Sequence, residues 1–104
     1  YPLKPVFTYI EEHYSEKITL EDLSSSIHMN KNYFCRFFKE KAGKTPFAYL
    51  NEYRINQAAG ELMKTDLPIT EIALNSGFEN MSYFIRQFKH YRGCTPSVFR
   101  QERH

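Results

Sequence analysis

A chain of 104 residues has room for one domain or two very small ones. Fourteen Lys and Arg against twelve Asp and Glu leave a net charge of +2, which excludes a strongly basic nucleic-acid tail and an acidic solvating protein alike. With 41% hydrophobic and 16% aromatic residues the chain can build a packed core, and no apolar run approaches the ~20 residues that span a bilayer.

Val6, Phe7, Ile10 and Tyr14 recur at helical spacing with Glu11 and Glu12 opposite, which predicts an amphipathic first helix opened by Pro5. Thr19 followed three residues on by Asp22 reads as a capping box for a second helix, whose buried stripe is Leu20, Leu23 and Ile27. A break at His28-Met29-Asn30 leads to a third helix over 31–42, with Phe34, Phe37 and Phe38 inward and Gly43 as a left-handed cap. Thr45-Pro46 restarts the chain as N-cap and first helical residue. A long helix then runs over 46–64, with Tyr49, Leu50, Tyr53, Ala58 and Leu62 as apolar contacts and Gly60 as a local weakness. Pro68 opens the next helix, with Ile69, Ile72 and Ala73 on its core side, and Ser76-Gly77-Phe78 turns the chain. A helix over 81–91 follows with Phe84 and Phe88 inward, then Gly93, Thr95-Pro96 and a short last helix holding Val98 and Phe99. All the phenylalanines are expected in the core. No segment alternates with period two, so the fold is all-α with about seven helices.

The middle and end of the chain repeat. At a shift of 50, Tyr33, Phe34, Arg36, Phe38, Lys39, Gly43, Thr45 and Pro46 recur as Tyr83, Phe84, Arg86, Phe88, Lys89, Gly93, Thr95 and Pro96. That is 8 identities in 14 positions, where chance gives roughly one. Upstream the shift is 49, pairing Leu20 with Ile69, Leu23 with Ile72, Ser24 with Ala73 and Met29 with Phe78, so the second copy holds one extra residue between Phe78 and Tyr83. Charge follows the repeat: residues 30–44 carry +4 and 79–93 carry +2, while 1–29 carry −3 and 45–78 carry −2.

Each copy has the form of a helix-turn-helix: a small residue where the helices pack close (Ser24, Ala73), a turn residue tolerant of positive φ (His28, Gly77) and an apolar residue re-entering the core (Met29, Phe78). The second helix of each pair then presents one polar face: Asn32, Cys35, Arg36 and Lys39 in the first copy, Ser82, Ile85, Arg86 and Lys89 in the second. Arg on such a face can bond guanine O6 and N7 together, Asn can do the same for adenine, and an exposed Ile can pack on a thymine methyl. Lys at the end of the stripe suits phosphate, and the helix N-terminus attracts phosphate too. Cys35 is a small groove-facing residue in this reading rather than a redox sensor.

Through Ile69-Thr70-Glu71-Ile72-Ala73, Gly77-Phe78, Tyr83-Phe84, Arg86, Phe88-Lys89 and Gly93-Cys94-Thr95-Pro96, the sequence resembles the AraC/XylS family of bacterial transcription regulators, over nearly its whole length. The resemblance implies seven helices, with a first helix-turn-helix subdomain over 1–45, a bridging helix over 46–64 and a second subdomain over 65–104. It implies recognition helices in successive major grooves of double-stranded DNA. The family's base-contacting positions fall here on Asn32, Cys35 and Arg36, then Met81, Ser82, Ile85 and Arg86. Lys31, Lys39 and Lys89 are the candidate phosphate contacts. The expected partners are a duplex operator and, for an activator, RNA polymerase.

The alternative reading is a helical adaptor that grips an acidic protein with the same stripes. No catalytic constellation, phosphate-cradling glycine loop, C-x-x-C or metal-ligand spacing occurs, so neither enzyme activity nor a cofactor or metal is expected. Cys35 and Cys94 make no disulfide framework, and free thiols point to the cytoplasm. The chain opens on Tyr1 without a signal peptide, so it is expected to be part of a longer protein, and this part to be monomeric.

Overall fold

The computed structural model describes residues 2–103, which form seven α-helices and no strand: α1 (Lys4–His13), α2 (Leu20–Ser25), α3 (Lys31–Ala42), α4 (Pro46–Lys64), α5 (Ile69–Asn75), α6 (Met81–Arg92) and α7 (Pro96–Gln101). None of the described helices is long and apolar enough to cross a membrane. The chain divides into two compact units, 1–50 and 51–104, and the division falls inside α4, between Leu50 and Asn51.

In the first unit Val6 and Ile10 of α1, Leu23 of α2, Phe34 and Phe38 of α3 and Leu50 of α4 are fully buried. The ring of Phe7 stacks on Tyr49 at 4.8 Å and meets Phe38 edge-on at 6.1 Å, so one aromatic cluster ties α1, α3 and the start of α4 together. In the second unit Ile55, Ala58 and Leu62 of α4 pack with Ile72 and Ala73 of α5 and with Phe78, Phe84 and Phe88. Phe99 extends this cluster into α7, edge-on to Phe88 at 5.3 Å. Each fully buried Phe or Leu stabilises its unit by roughly 1.5–3 kcal/mol relative to exposure.

The caps explain where the helices start and stop. Thr19 Oγ1 accepts from the Asp22 N–H at 3.1 Å while Asp22 Oδ2 accepts from the Thr19 N–H at 2.9 Å, a complete capping box. Thr45 and Thr95 cap α4 and α7 by accepting from the backbone N–H of Ala48 and Val98. Gly43 and Gly93 end α3 and α6 at φ 80° and 79°, each donating its N–H back to the carbonyl of Lys39 or Lys89.

Several expectations need correction. The phenylalanines are not uniformly core: Phe37, Phe7 and Phe99 are half-buried and Phe47 is exposed. Phe37 stands one residue off the Phe34–Phe38 row, so it lies at the edge of the buried face and stacks against Tyr33 at 6.3 Å. Leu20, Met29 and Ile69 are half-buried rather than core, because Leu20 and Ile69 open their helices and Met29 lies in the turn between α2 and α3, where one side meets solvent. Pro68 is the N-cap of α5 and Ile69 its first residue. Ile55 and Ala59, absent from the expected α4 stripe, are buried.

The α4 C-terminus is held by two arginines far along the chain. Arg100 donates to the carbonyls of Leu67 (2.6 Å), Thr65 (3.2 Å) and Leu62 (3.4 Å). Arg103 donates to Leu62 (2.9 Å) and Thr65 (2.6 Å) and pairs with Asp66. The last carbonyls of a helix lack intrahelical donors and carry partial negative charge, so guanidinium groups satisfy both needs there.

Candidate nucleic-acid interface

Both helix pairs are closed by one turn geometry. In the first, Met29 N–H donates to Ser24 C=O at 3.0 Å across His28, which takes φ 58° and is the one described non-glycine residue at positive φ. In the second, Phe78 N–H donates to Ala73 C=O at 2.9 Å across Gly77 at φ 98°. This six-to-one bond over a left-handed residue is a Schellman closure, and it needs a left-handed residue at the same place in each copy. Ser24 and Ala73, whose carbonyls accept it, are 3% and 1% exposed, so only small side chains fit between the paired helices.

The turn delivers the chain to an asparagine N-cap in each copy. Asn30 Oδ1 accepts from Asn32 N–H at 2.9 Å, and Asn80 Oδ1 accepts from Tyr83 N–H at 2.8 Å. The caps stand 50 apart while the turn residues stand 49 apart, so the extra residue of the second copy is Glu79, between turn and cap.

Phe34 and Phe38 pin the orientation of α3, as Phe84 and Phe88 pin that of α6. The opposite faces therefore reach solvent. On α3, Lys31, Asn32, Arg36 and Lys39 are exposed and Cys35, a free thiol, is half-buried. On α6, Ser82, Arg86 and Lys89 are exposed and Ile85 is 38% exposed, so Ile85 belongs to the outward stripe and not to the core. Met81 differs from the rest: it is half-buried and packs against the second unit's core cluster, leaving only part of its side chain outward. Each unit thus gathers its own candidates on one helix face.

Three features were not read from the sequence. Lys31 Nζ lies 3.5 Å from Glu21 Oε1 of α2, an exposed ion pair across the helix-turn-helix. Tyr83 Oη accepts from Asn51 Nδ2 at 2.8 Å, and the Arg86 guanidinium lies 6.0 Å from the Tyr83 ring centroid. Arg92 donates to Asn56 Oδ1 at 2.9 Å and lies 5.7 Å over Phe99, so this α6 cation is engaged within its own unit. The recurrence of Tyr33 at Tyr83 was the one available signal for the second. The hydrogen-bond and ion-pair partners, Glu21, Asn51 and Asn56, lie on other helices, where no local pattern points to them.

A family model described as a helix-turn-helix domain matches residues 23–102. The chain is 34% identical over 99 residues to an uncharacterised HTH-type transcriptional regulator, YdeC, of Bacillus subtilis, covering 95% of this chain and 34% of YdeC. It spans about a third of the length of some curated relatives and 12–13% of other, longer ones. A solved structure of a protein of unknown function from Listeria innocua superposes with a TM-score of 0.91 at 39% identity, covering 100% of both chains. The DNA-binding domain of AdpA, a global transcriptional factor solved in complex with a target DNA, superposes with a TM-score of 0.89 at 28% identity, covering 96% of this chain and 89% of that one. With a helix-turn-helix family model matched over residues 23–102, the chain belongs to the AraC-type helix-turn-helix domain family.

Proposed function

We propose that this chain binds double-stranded DNA sequence-specifically as the DNA-binding part of a bacterial transcription regulator, with α3 and α6 entering successive major grooves. The observation that carries the reading is the pair of outward stripes, each built on the same turn and each bearing Arg then Lys at matched repeat positions. The AdpA complex with DNA supports it by similarity.

In this reading Arg36 and Arg86 fork onto guanine, Asn32 onto adenine, and Ser82 bonds a base edge of either type. Ile85 packs on a thymine methyl. Cys35 and Met81 line the groove with small or partial apolar contacts. Lys31, Lys39 and Lys89 act as point charges on phosphate, and Lys31 must leave Glu21 to do so. The protein works in the cytoplasm, has no enzymatic role in this part, acts here as a monomer, and engages RNA polymerase where it activates.

The test is selection of bound duplexes from a random pool, followed by affinity measurements against salt. A defined sequence should emerge. Log affinity should fall against log salt with a slope of about −2.7 or steeper, the three lysines alone giving roughly −0.9 per phosphate. A chain that enriches no sequence, and instead binds acidic polypeptides, is an adaptor and not a DNA reader.

A further inference from the structure

Arg36 and Arg86 occupy the same repeat position but not the same surroundings. Tyr83, three residues before Arg86 on α6, is held at two points. Its hydroxyl accepts from Asn51 Nδ2 of α4 at 2.8 Å. Its ring lies 6.1 Å from the buried Phe78. The Arg86 guanidinium rests 6.0 Å from the centroid of that fixed ring, within reach of the cation–π attraction. In the first unit the matching ring, Tyr33, is 54% exposed and lies nearly parallel to Phe37, at 16° and 6.3 Å. Position 87, which corresponds to Phe37, is Gln, so the second copy has no such ring to draw Tyr83 away from Arg86.

A bidentate contact to guanine is directional, and an arginine free to rotate spends most of its time misaligned. A ring that holds the guanidinium on one side of the helix removes part of that freedom before DNA arrives, which favours the contact by preorganisation. We infer that Tyr83, anchored by Asn51, is a positioning residue for Arg86, and that the second helix-turn-helix consequently discriminates at its arginine-read base pair more sharply than the first does at the base pair of Arg36. This rests on the DNA-binding reading above.

The experiment measures affinity of the chain for its selected duplex, for single-base variants of it and for an unrelated duplex, at several salt concentrations. Arg86→Ala first marks the base pair that Arg86 reads. Tyr83→Phe, which keeps the ring but removes its tether to Asn51, and Asn51→Ala, which leaves α6 untouched, should each reduce discrimination at that base pair about two- to five-fold. Together they should lose no more than either alone. The salt slope and the affinity for unrelated DNA should not move, and neither change should matter in an Arg86→Ala background. Tyr33→Leu should leave discrimination at the Arg36 base pair intact.

Three results would overturn the inference. Unchanged discrimination in both Tyr83→Phe and Asn51→Ala means that Arg86 needs no orienting. A uniform loss on every duplex with a smaller salt slope makes Tyr83 a backbone contact. An equal loss in the Arg86→Ala background makes the effect independent of Arg86. Asn51→Ala carries the test if a Tyr83 variant melts early. A wild-type chain with no sequence preference refutes DNA reading itself, which is seen before any variant is made, and the inference falls with it.

Discussion

At the scale of single residues, two pairs of side chains make contrasting predictions. Arg36 and Lys39 are both exposed cations on one face of α3, yet a planar fork and a rotating ammonium do different work. Arg36→Ala should cost about 1–3 kcal/mol and flatten preference at one base pair, whereas Lys39→Ala should weaken every duplex alike and reduce the salt slope by about one. A panel of single-base operator variants titrated at several salt concentrations separates the two. Gly60 and Gly93 form the second pair. A methyl added at Gly60, Gly43 or Gly93 meets no atom within 4 Å, so space does not distinguish them. Backbone conformation does, because Gly60 is inside α4 while Gly43 and Gly93 sit at φ +80° and +79°. Gly60→Ala should therefore raise stability by roughly 0.5–1 kcal/mol, and Gly93→Ala should lower it by about 1–2 kcal/mol. Denaturant midpoints of the two variants should move in opposite directions.

At the scale of elements, the short helices depend on their ends. α2 has six residues, too few to be stable alone, and its capping box satisfies two donors that would otherwise be orphaned. The Asp22 carboxyl is held below the usual carboxylate range, first by the Thr19 backbone N–H, then by its hydrogen bonding with the Thr19 side chain. A carboxylate whose folded pKa is depressed stabilises the fold above its unfolded value, about 3.9, and that contribution is lost as pH falls through the lower folded value. Asp22→Asn, the uncharged isostere, should therefore melt below wild type at neutral pH. The gap should narrow from about pH 4 downward. A gap that stays constant to low pH would mean the carboxylate charge contributes nothing at this cap. α7 is equally short, and its Arg100 joins Arg103 in bonding the last carbonyls of α4 and the segment after it. These long-range bonds, more than helix propensity, keep α7 in place.

At the scale of the whole molecule, two homologous units with different stripes, Asn-Cys-Arg and Ser-Ile-Arg, predict an asymmetric operator. Its two half-elements should lie about one helical turn apart, roughly 10 bp, and one copy of the chain should cover both. Footprinting checks this: a strict palindrome occupied only by pairs of chains would contradict it. Much of the architecture was legible beforehand, because its signals are local. Helical spacing of Val6, Ile10, Phe34, Phe38, Phe84 and Phe88 marks faces that must be buried, and Thr19, Gly43, Thr95 and Gly93 act on backbone groups within four residues of themselves. The internal repeat placed the outward stripes, since equal residues at equal offsets from an asparagine N-cap must face equally. What the sequence could not settle were the contacts whose partners lie far apart along the chain. Met81 turned partly onto the second unit's core, Lys31 took Glu21, and Arg100 closed α4. Tyr33 and Tyr83 are identical letters in a repeat, but packing set one against Phe37 and tied the other to Asn51 beside Arg86. Periodicity reports which side of a helix is apolar, whereas the choice of neighbour depends on which helices arrive there, and that is decided by the tertiary fold.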